Sequence, residues 1–181
     1  MSPPKLQLPS PWLEFLSAVD HALSSKVEVH CIGGFVLTLA YGARRTTGDV
    51  DYLTVAPSDA AAEIERLAGR QSKLAKTHKI FFHRAVGVTD LPENYDGRLV
   101  DLELGFDNLS LRVLEIYDLA LSKLSRNSPK DREDVKFLAW SDNLSFAVLH
   151  ERYANEMKPW IANDDRHELT LNVVWREYFA Q

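Results

Sequence analysis

Asp49 and Asp51, separated by one residue, are the side chains of this sequence whose type and spacing best suit chemistry. In an extended strand, residues two apart project from the same face, so both carboxylates can share one or two cations. Magnesium takes oxygen ligands, usually one or two carboxylates together with substrate phosphates. Phosphoryl transfer depends on metal ions that bridge the triphosphate and activate the attacking oxygen. The pair therefore predicts a site for Mg²⁺ or Mn²⁺ and a nucleoside triphosphate.

A glycine pair, Gly33 and Gly34, precedes the aspartates and supplies the second part of the predicted site. Two glycines before a helix let backbone amides approach a phosphate, and the positive end of the helix dipole favours its charge. Each piece also has an ordinary interpretation, because an Asp-x-Asp is usually a solvated strand face and Gly-Gly usually marks a turn. From spacing and residue type alone, both interpretations stay open.

Two arginines, Arg44 and Arg45, lie between the predicted helix and the aspartate strand. A guanidinium fork matches phosphate oxygens, so either arginine can contact a triphosphate. The alternative is a structural ion pair with an aspartate or a helix end. Thr46 and Thr47 are expected to order the turn.

Hydrophobic periodicity predicts the elements that must position these residues. Alternation over 49–55 places Val50, Tyr52 and Thr54 on one strand face and the two aspartates with Leu53 on the other. Two helices are expected to be capped by side chains, one by Ser10 and one by Ser58 with Asp59. The patterns predict strands at 27–32, 49–55, 79–88, 99–105 and 109–113, and helices at 10–25, 35–41, 58–74, 115–126, 129–140, 144–156 and 166–179. A sheet of about five strands with helices around it is an α+β or α/β architecture.

Composition is ordinary for one globular domain with a sizeable core: 181 residues, 45% hydrophobic and 26% charged. The formal net charge of −5 gives no global basic field for nucleic acid. A single cysteine, Cys31, excludes an intramolecular disulfide. The proline-containing N-terminal stretch is typical of neither a signal peptide nor a membrane anchor, so we expect a cytoplasmic protein without membrane contact.

The order of motifs from residue 33 to 51 resembles the AbiEii-like group of toxin-type nucleotidyltransferases. Still more closely, it resembles the nucleotidyltransferase-like family DUF6036, and this likeness extends over 92–98, 118–124 and 130–134. The resemblance implies an α+β, polymerase-β-like nucleotidyltransferase fold in one domain. Its core would span about residues 10–113 and its C-terminal helical part about 114–181.

The resemblance also implies an activity, the transfer of a nucleoside monophosphate from an NTP to a hydroxyl. The acceptor stays open among an RNA end such as that of tRNA, a protein side chain and a small molecule. A toxin role with a cognate antitoxin, or a homo-oligomer, follows from resemblance only. The alternative is a non-catalytic nucleotide-binding or protein-interaction module on the same fold.

A third carboxylate on a neighbouring strand is general in this superfamily, as a base or a second metal ligand. The candidates are Asp101, which we prefer, and Glu103, both on one face of the strand predicted at 99–105. The alternative is that both face solvent on an edge strand. The strand predicted at 79–88 contains no acid, and activity is in doubt if that strand occupies the third-acid position.

Lys123 lies near the apolar stripe of its predicted helix, where a charge needs a partner. A triphosphate is one such partner, and in AbiEii-like proteins the matching lysine is implicated in nucleotide binding. The alternative is a stem that packs on the core and leads to an exposed ammonium. Asp134 is a supporting site residue by resemblance. Otherwise, Asp131 caps its helix and Asp134 pairs with Lys123, Arg126 or Lys130.

The six histidines show no zinc-ligand spacing. His83 could lie near the cleft, although we favour a structural or surface role for it.

Overall fold

The computed structural model describes residues 8–44, 46–85, 90–141, 144–162 and 164–180. Their backbone clusters into two compact units. The first holds the described residues up to Ala85 together with Leu99–Leu114, and the second holds those from 90 to Arg98 and from Glu115 to 180. The expectation of one domain, with a core at about 10–113 and a helical part at about 114–181, stays a prediction.

The first unit contains all five strands of the sheet. Its elements are α1 (Trp12–Ala22), β1 (Val27–Cys31), α2 (Gly33–Leu39), β2 (Asp49–Ala56), α3 (Ala61–Ala68), α4 (Lys73–His78), β3 (Phe81–Arg84), β4 (Val100–Leu102) and β5 (Leu109–Val113), with a 3₁₀ turn at Ser58–Ala60. The strand predicted at 79–88 is therefore shorter at its start, and residues 86–89 lie outside the described residues.

The sheet has the strand order β3-β2-β1-β5-β4. The central strand β1 pairs antiparallel with β2 and parallel with β5, while β2 and β3 are parallel and β4 and β5 antiparallel. The expected α+β class with a mixed five-stranded sheet flanked by helices is confirmed. Because β1 and β5 separate β2 from β4, residues on β2 and β4 lie on strands that do not adjoin.

The core of this unit lies between one sheet face and the helices that cover it. The predicted stripe of α1 is buried, with Leu16 and Val19 at 0% exposure. From the same helix, the Phe15 ring lies 6.0 Å from that of Phe82 on β3. Each such apolar side chain contributes about 1.5–3 kcal/mol when fully buried. This packing fixes the sheet, and the opposite face of β2 stays accessible.

The predicted cap of α1 at Ser10 is wrong. The helix begins at Trp12, Pro11 occupies the capping position, and no side chain caps the helix there. The extent of the helix is shorter than the predicted 10–25 at both ends.

The helix predicted at 58–74 is broken in the structure. Gly69 ends α3 with extended backbone and forms a bridge to Phe82 of β3. The chain restarts at α4, where the Ser72 hydroxyl accepts a hydrogen bond from the amide of Ala75 at 3.0 Å. The capping side chain is therefore Ser72, and Ser58 and Asp59 cap no helix by hydrogen bonding.

A β-bulge changes the second half of β2. His30 pairs with Thr54 and Cys31 with Tyr52, so Leu53 is the extra residue. Beyond it Thr54 is exposed and Val55 is buried, which corrects the predicted inward position of Thr54. The bulge follows the aspartates in the chain, so their common face is unaffected.

The second unit is helical. It contains α5 (Ile116–Leu121), α6 (Pro129–Ser141), α7 (Phe146–Glu156) and α8 (Asp164–Leu169), a π-helical turn at Thr170–Trp175, and 3₁₀ turns at Tyr95–Arg98, Lys158–Trp160 and Arg176–Phe179. The helix predicted at 115–126 ends early, at Leu121. The segment predicted as one helix at 166–179 consists of α-helix, π-helix and 3₁₀ helix in succession. In the described ranges, no helix is long and apolar enough to cross a bilayer.

A buried carboxylate organises the second unit. Asp118 on α5 has 0% side-chain exposure and accepts hydrogen bonds from Arg98 Nε and Arg152 Nη1, each at 2.9 Å. Arg98 also bonds Glu156 of α7 at 2.7 Å. The network joins three segments of the unit. Removing one partner would leave the buried charge of Asp118 without compensation and would strongly destabilise the fold.

Candidate active site

Asp49 and Asp51 lie on one face at the start of β2, as the alternation predicted. Both are partly exposed, whereas Val50 and Tyr52 between and beside them are buried at 0% and 2% exposure. The buried pair anchors the strand, so the two carboxylates project together from its accessible face. Two carboxylates on one strand face are the first requirement of a shared cation site.

Gly33 is in direct contact with Asp51. The amide of Ile32 donates to the backbone oxygen of Asp51 at 2.8 Å, which fixes the end of β1 against β2. Gly33 follows with φ +76°, and a Cβ built on it would lie 2.7 Å from Asp51 Oδ2. Glycine suits this position, because L-residues disfavour its backbone conformation and any side chain here would force the Asp51 carboxylate to shift. The structure therefore brings together the glycine pair and one of the two aspartates.

The glycine pair is the start of α2, which begins at Gly33 rather than at the predicted Phe35. Gly34 is the second residue of the helix and is buried. The first amides of a helix have no intrahelical acceptor. These amides lie at the start of α2, beside the carboxylate of Asp51. The sequence predicted that a phosphate would bind at this helix start.

Thr47 orients the other aspartate. Its hydroxyl donates to Asp49 Oδ1 at 2.7 Å. The backbone before Asp49 is held by β3, since the amide of Phe81 donates to the oxygen of Gly48 at 3.1 Å. Asp49 is thus restrained by its own turn, in the ordering role expected for Thr47.

Asp101 and Glu103 are not brought to the aspartate pair. Asp101 is on β4, at the far edge of the sheet, and Glu103 follows it. The separation of β4 from β2 is three strand spacings, about 14 Å at about 4.8 Å each. Asp101 is 67% exposed and lies 2.8 Å from Arg112 Nε of β5. Asp101 therefore lies on an exposed edge strand, which is the alternative stated above. The strand order is what separates it from Asp49 and Asp51.

The neighbour of Asp51 on β3 is His83. In the parallel register Asp51 pairs with His83, and Nδ1 of the imidazole lies 3.0 Å from Asp51 Oδ1. The strand beside β2 on this side is therefore β3, which contains no acid. We favoured a structural or surface role for His83 over a place near the cleft. The burial of Phe82 before it indicates that His83 projects from the aspartate face.

Of the two arginines, the structure describes Arg44 alone. Arg44 is exposed between α2 and β2. Arg45 lies outside the described residues. Phosphate contact by either one stays a prediction.

Lys123 and Asp134 form a buried ion pair in the second unit. Lys123 is 3% exposed, and its Nζ lies 2.8 Å from Asp134 Oδ2. Lys123 is thus one of the partners proposed for Asp134 in the structural alternative. The pair explains how the charge of Lys123 is tolerated in a buried position. A nucleotide role for either residue stays an expectation from resemblance.

Asp131 caps α6 by reciprocal hydrogen bonds. Its carboxylate accepts from the amide of Ser128 at 2.9 Å, and the Ser128 hydroxyl accepts from the amide of Asp131 at 3.2 Å. Burial raises the pKa of Asp131, but hydrogen bonds from Arg126 and Ser128 outweigh it and hold the pKa at about 2. The capping alternative is confirmed.

In the described part of the chain, no group of three or more His, Cys, Asp or Glu side chains is placed to hold a metal ion. A cation at Asp49 and Asp51 must therefore complete its shell with substrate oxygens and water. Magnesium normally binds in this way, through one or two carboxylates plus phosphates. The donor set fits a cation that arrives with a nucleotide.

A family model described as "Nucleotidyltransferase of unknown function (DUF6036)" matches residues 14–181. The chain belongs to this nucleotidyltransferase family. The predicted membership in DUF6036 is thereby confirmed, and the mixed five-stranded sheet is consistent with a nucleotidyltransferase-like fold. Neither the curated proteins nor the solved structures contain a significant match. The family description makes nucleotidyl transfer the general chemistry and leaves donor, acceptor and metal open.

Proposed function

We propose that this protein is a metal-dependent nucleotidyltransferase that moves a nucleoside monophosphate from an NTP to a hydroxyl acceptor. The observation that carries the proposal is the contact of Asp51 with Gly33, on the strand face that also bears Asp49. The two carboxylates could bind a cation, and the glycine backbone beside them could bind the polyphosphate that the cation carries. Membership in a nucleotidyltransferase family supports the same chemistry.

Asp49 and Asp51 would hold Mg²⁺ or Mn²⁺ through carboxylate oxygens. When bound, the cation would neutralise triphosphate charge and polarise the phosphorus under attack. Gly33 keeps open the space beside Asp51, so that phosphate oxygens reach the backbone. Thr47, which donates to Asp49 Oδ1, limits the rotation of that carboxylate and keeps it directed at the shared position.

Radiolabel transfer tests the proposal. Each of the four NTPs, labelled at the α-phosphate, is incubated with the full chain, Mg²⁺ or Mn²⁺, and one acceptor class: tRNA, protein or a small polyol. Transfer by the wild type and its loss in Asp51→Asn are expected. The matched control is Asp101→Asn, which removes an exposed acid from the far edge of the sheet and should retain transfer.

A second candidate function is nucleotide binding without turnover, in a sensing or partner-binding module. The observation that favours it is the absence of a carboxylate from β3, Phe81–Arg84, the strand beside Asp51. Calorimetry with the four NTPs and Mg²⁺ separates the candidates. Binding that depends on Asp51 without transfer to any acceptor supports the module, and binding with transfer supports the enzyme. Transfer of label at the same rate by wild type and Asp51→Asn would contradict both.

Toxin activity and a cognate antitoxin remain proposals from the resemblance to toxin-type nucleotidyltransferases. A growth assay on cells expressing wild type or Asp51→Asn tests them together. Growth arrest that requires Asp51 supports a toxin, while equal growth with both chains contradicts it.

A further inference from the structure

His83 occupies the position on β3 that faces Asp51. Adjacent residues of parallel strands in register project from the same face about 4.8 Å apart. The pairs Val50–Phe82 and Asp51–His83 continue this pattern, the first pair buried and the second on the accessible face. The sheet itself therefore places an imidazole beside the carboxylate, and no loop conformation is needed to bring the two together.

The contact between them has a defined direction. An ionised carboxylate offers only acceptors, so the proton in the 3.0 Å contact must lie on His83 Nδ1. The imidazole thus donates to Asp51 Oδ1 and leaves Nε2 turned away from it. The His83 side chain is 53% exposed and the Asp51 side chain 27% exposed, so the carboxylate is the more enclosed partner.

The carboxylate of Asp51 is consequently restrained at Oδ1, which accepts from His83. Its Oδ2 occupies space that a side chain at residue 33 would enter, since a Cβ there would lie 2.7 Å from this oxygen. An aspartate free to rotate must lose that freedom when it binds a cation, whereas this one is already oriented.

We propose that His83 is a positioning residue that fixes Asp51 for cation binding from the strand where a third carboxylate was expected. This inference rests on the proposed cation site. Because His83 contacts the carboxylate through Nδ1, its effect on the cation is indirect, and Asp49 and Asp51 remain the ligands. An asparagine amide can replace the Nδ1–H donor, and an alanine cannot.

The test is direct binding of Mn²⁺ to the full chain, followed through the electron paramagnetic resonance signal of free Mn²⁺. Loss of an outer hydrogen bond to a metal ligand weakens metal affinity by 10–100-fold in general, so we expect about tenfold for the half-exposed His83 in His83→Ala. His83→Asn is expected to stay within about twofold of wild type. The matched control is His21→Ala, which removes an exposed histidine from α1.

Rescue by asparagine separates positioning from other roles. If His83→Asn is as weak as His83→Ala, the imidazole acts as more than a donor to Asp51 and the proposal is overturned. Wild-type affinity in His83→Ala, with weakened binding in Asp51→Asn, also overturns it and leaves the cation site intact. Unchanged affinity in Asp51→Asn overturns the cation site itself. Thermal unfolding of each variant, expected near that of wild type because His83 is exposed, shows that the fold is retained.

Discussion

Replacing Gly33 by alanine tests the contact on which the site depends, and Gly42 provides a matched control. Both glycines have positive φ, +76° and +74°, but a Cβ on Gly33 would lie 2.7 Å from Asp51 Oδ2, while one on Gly42 would meet nothing within 4 Å. Left-handed backbone costs a non-glycine residue about 1–2 kcal/mol, so Gly42→Ala should lose about that much unfolding free energy.

Gly33→Ala should lose more, because the carboxylate of Asp51 must also move. Turning a side chain about 30° off its rotamer costs about 0.5–1.5 kcal/mol, which gives a total of about 1.5–3.5 kcal/mol. Urea titration measures these losses. Calorimetry with Mn²⁺ and a non-hydrolysable NTP analogue measures binding, which we expect to fall about tenfold in Gly33→Ala only. Equal stability loss and equal binding in the two variants would refute the close approach of Gly33 to Asp51.

Two further predictions concern the buried charges of the second unit. The pKa of Asp131 is lowered from 3.8 to about 2, so its stabilisation is present above about pH 4 and is lost as the pH falls toward 2. This stabilisation should amount to about 2 kcal/mol. Urea titration should show that the difference in unfolding free energy between wild type and Asp131→Asn narrows over this pH range. A difference that stays constant with pH would contradict the prediction. Lys123→Met removes the ammonium that pairs with the buried carboxylate of Asp134 and should cost about 3–5 kcal/mol, most of which the double variant with Asp134→Leu recovers. A double variant no more stable than Lys123→Met in the same titration would show that the loss does not come from the carboxylate of Asp134.

Local pattern predicted the part of the site that local geometry determines. Asp49 and Asp51 share a face because side chains alternate along any strand, and Gly33 adjoins Asp51 because only a short helix and turn intervene. The common face survives the bulge at Leu53 because the bulge comes later in the chain. Thr54, beyond the bulge, was misplaced, since an extra residue reverses the alternation and leaves no mark in composition.

Strand order could not be obtained in this way. Asp101 was the preferred candidate for the third carboxylate, with an exposed edge strand as the alternative, and the order of the sheet places β1 and β5 between its strand and that of Asp51. Sequence spacing carries no information on which strands pair, whereas the hydrogen-bonded register decides it. For the same reason a structural or surface role was favoured for His83, because its pairing with Asp51 depends on the register of β2 and β3. Gly69 ended a predicted helix for a related reason, through its bridge to a distant strand.

Anomalous diffraction from crystals grown with Mn²⁺ and a non-hydrolysable NTP analogue would locate the cation itself. We expect one manganese peak within coordinating distance, about 2.2 Å, of carboxylate oxygens from both Asp49 and Asp51, with phosphate density beside Gly33. Manganese and nucleotide bound elsewhere, with both of these carboxylates facing only water, would contradict it.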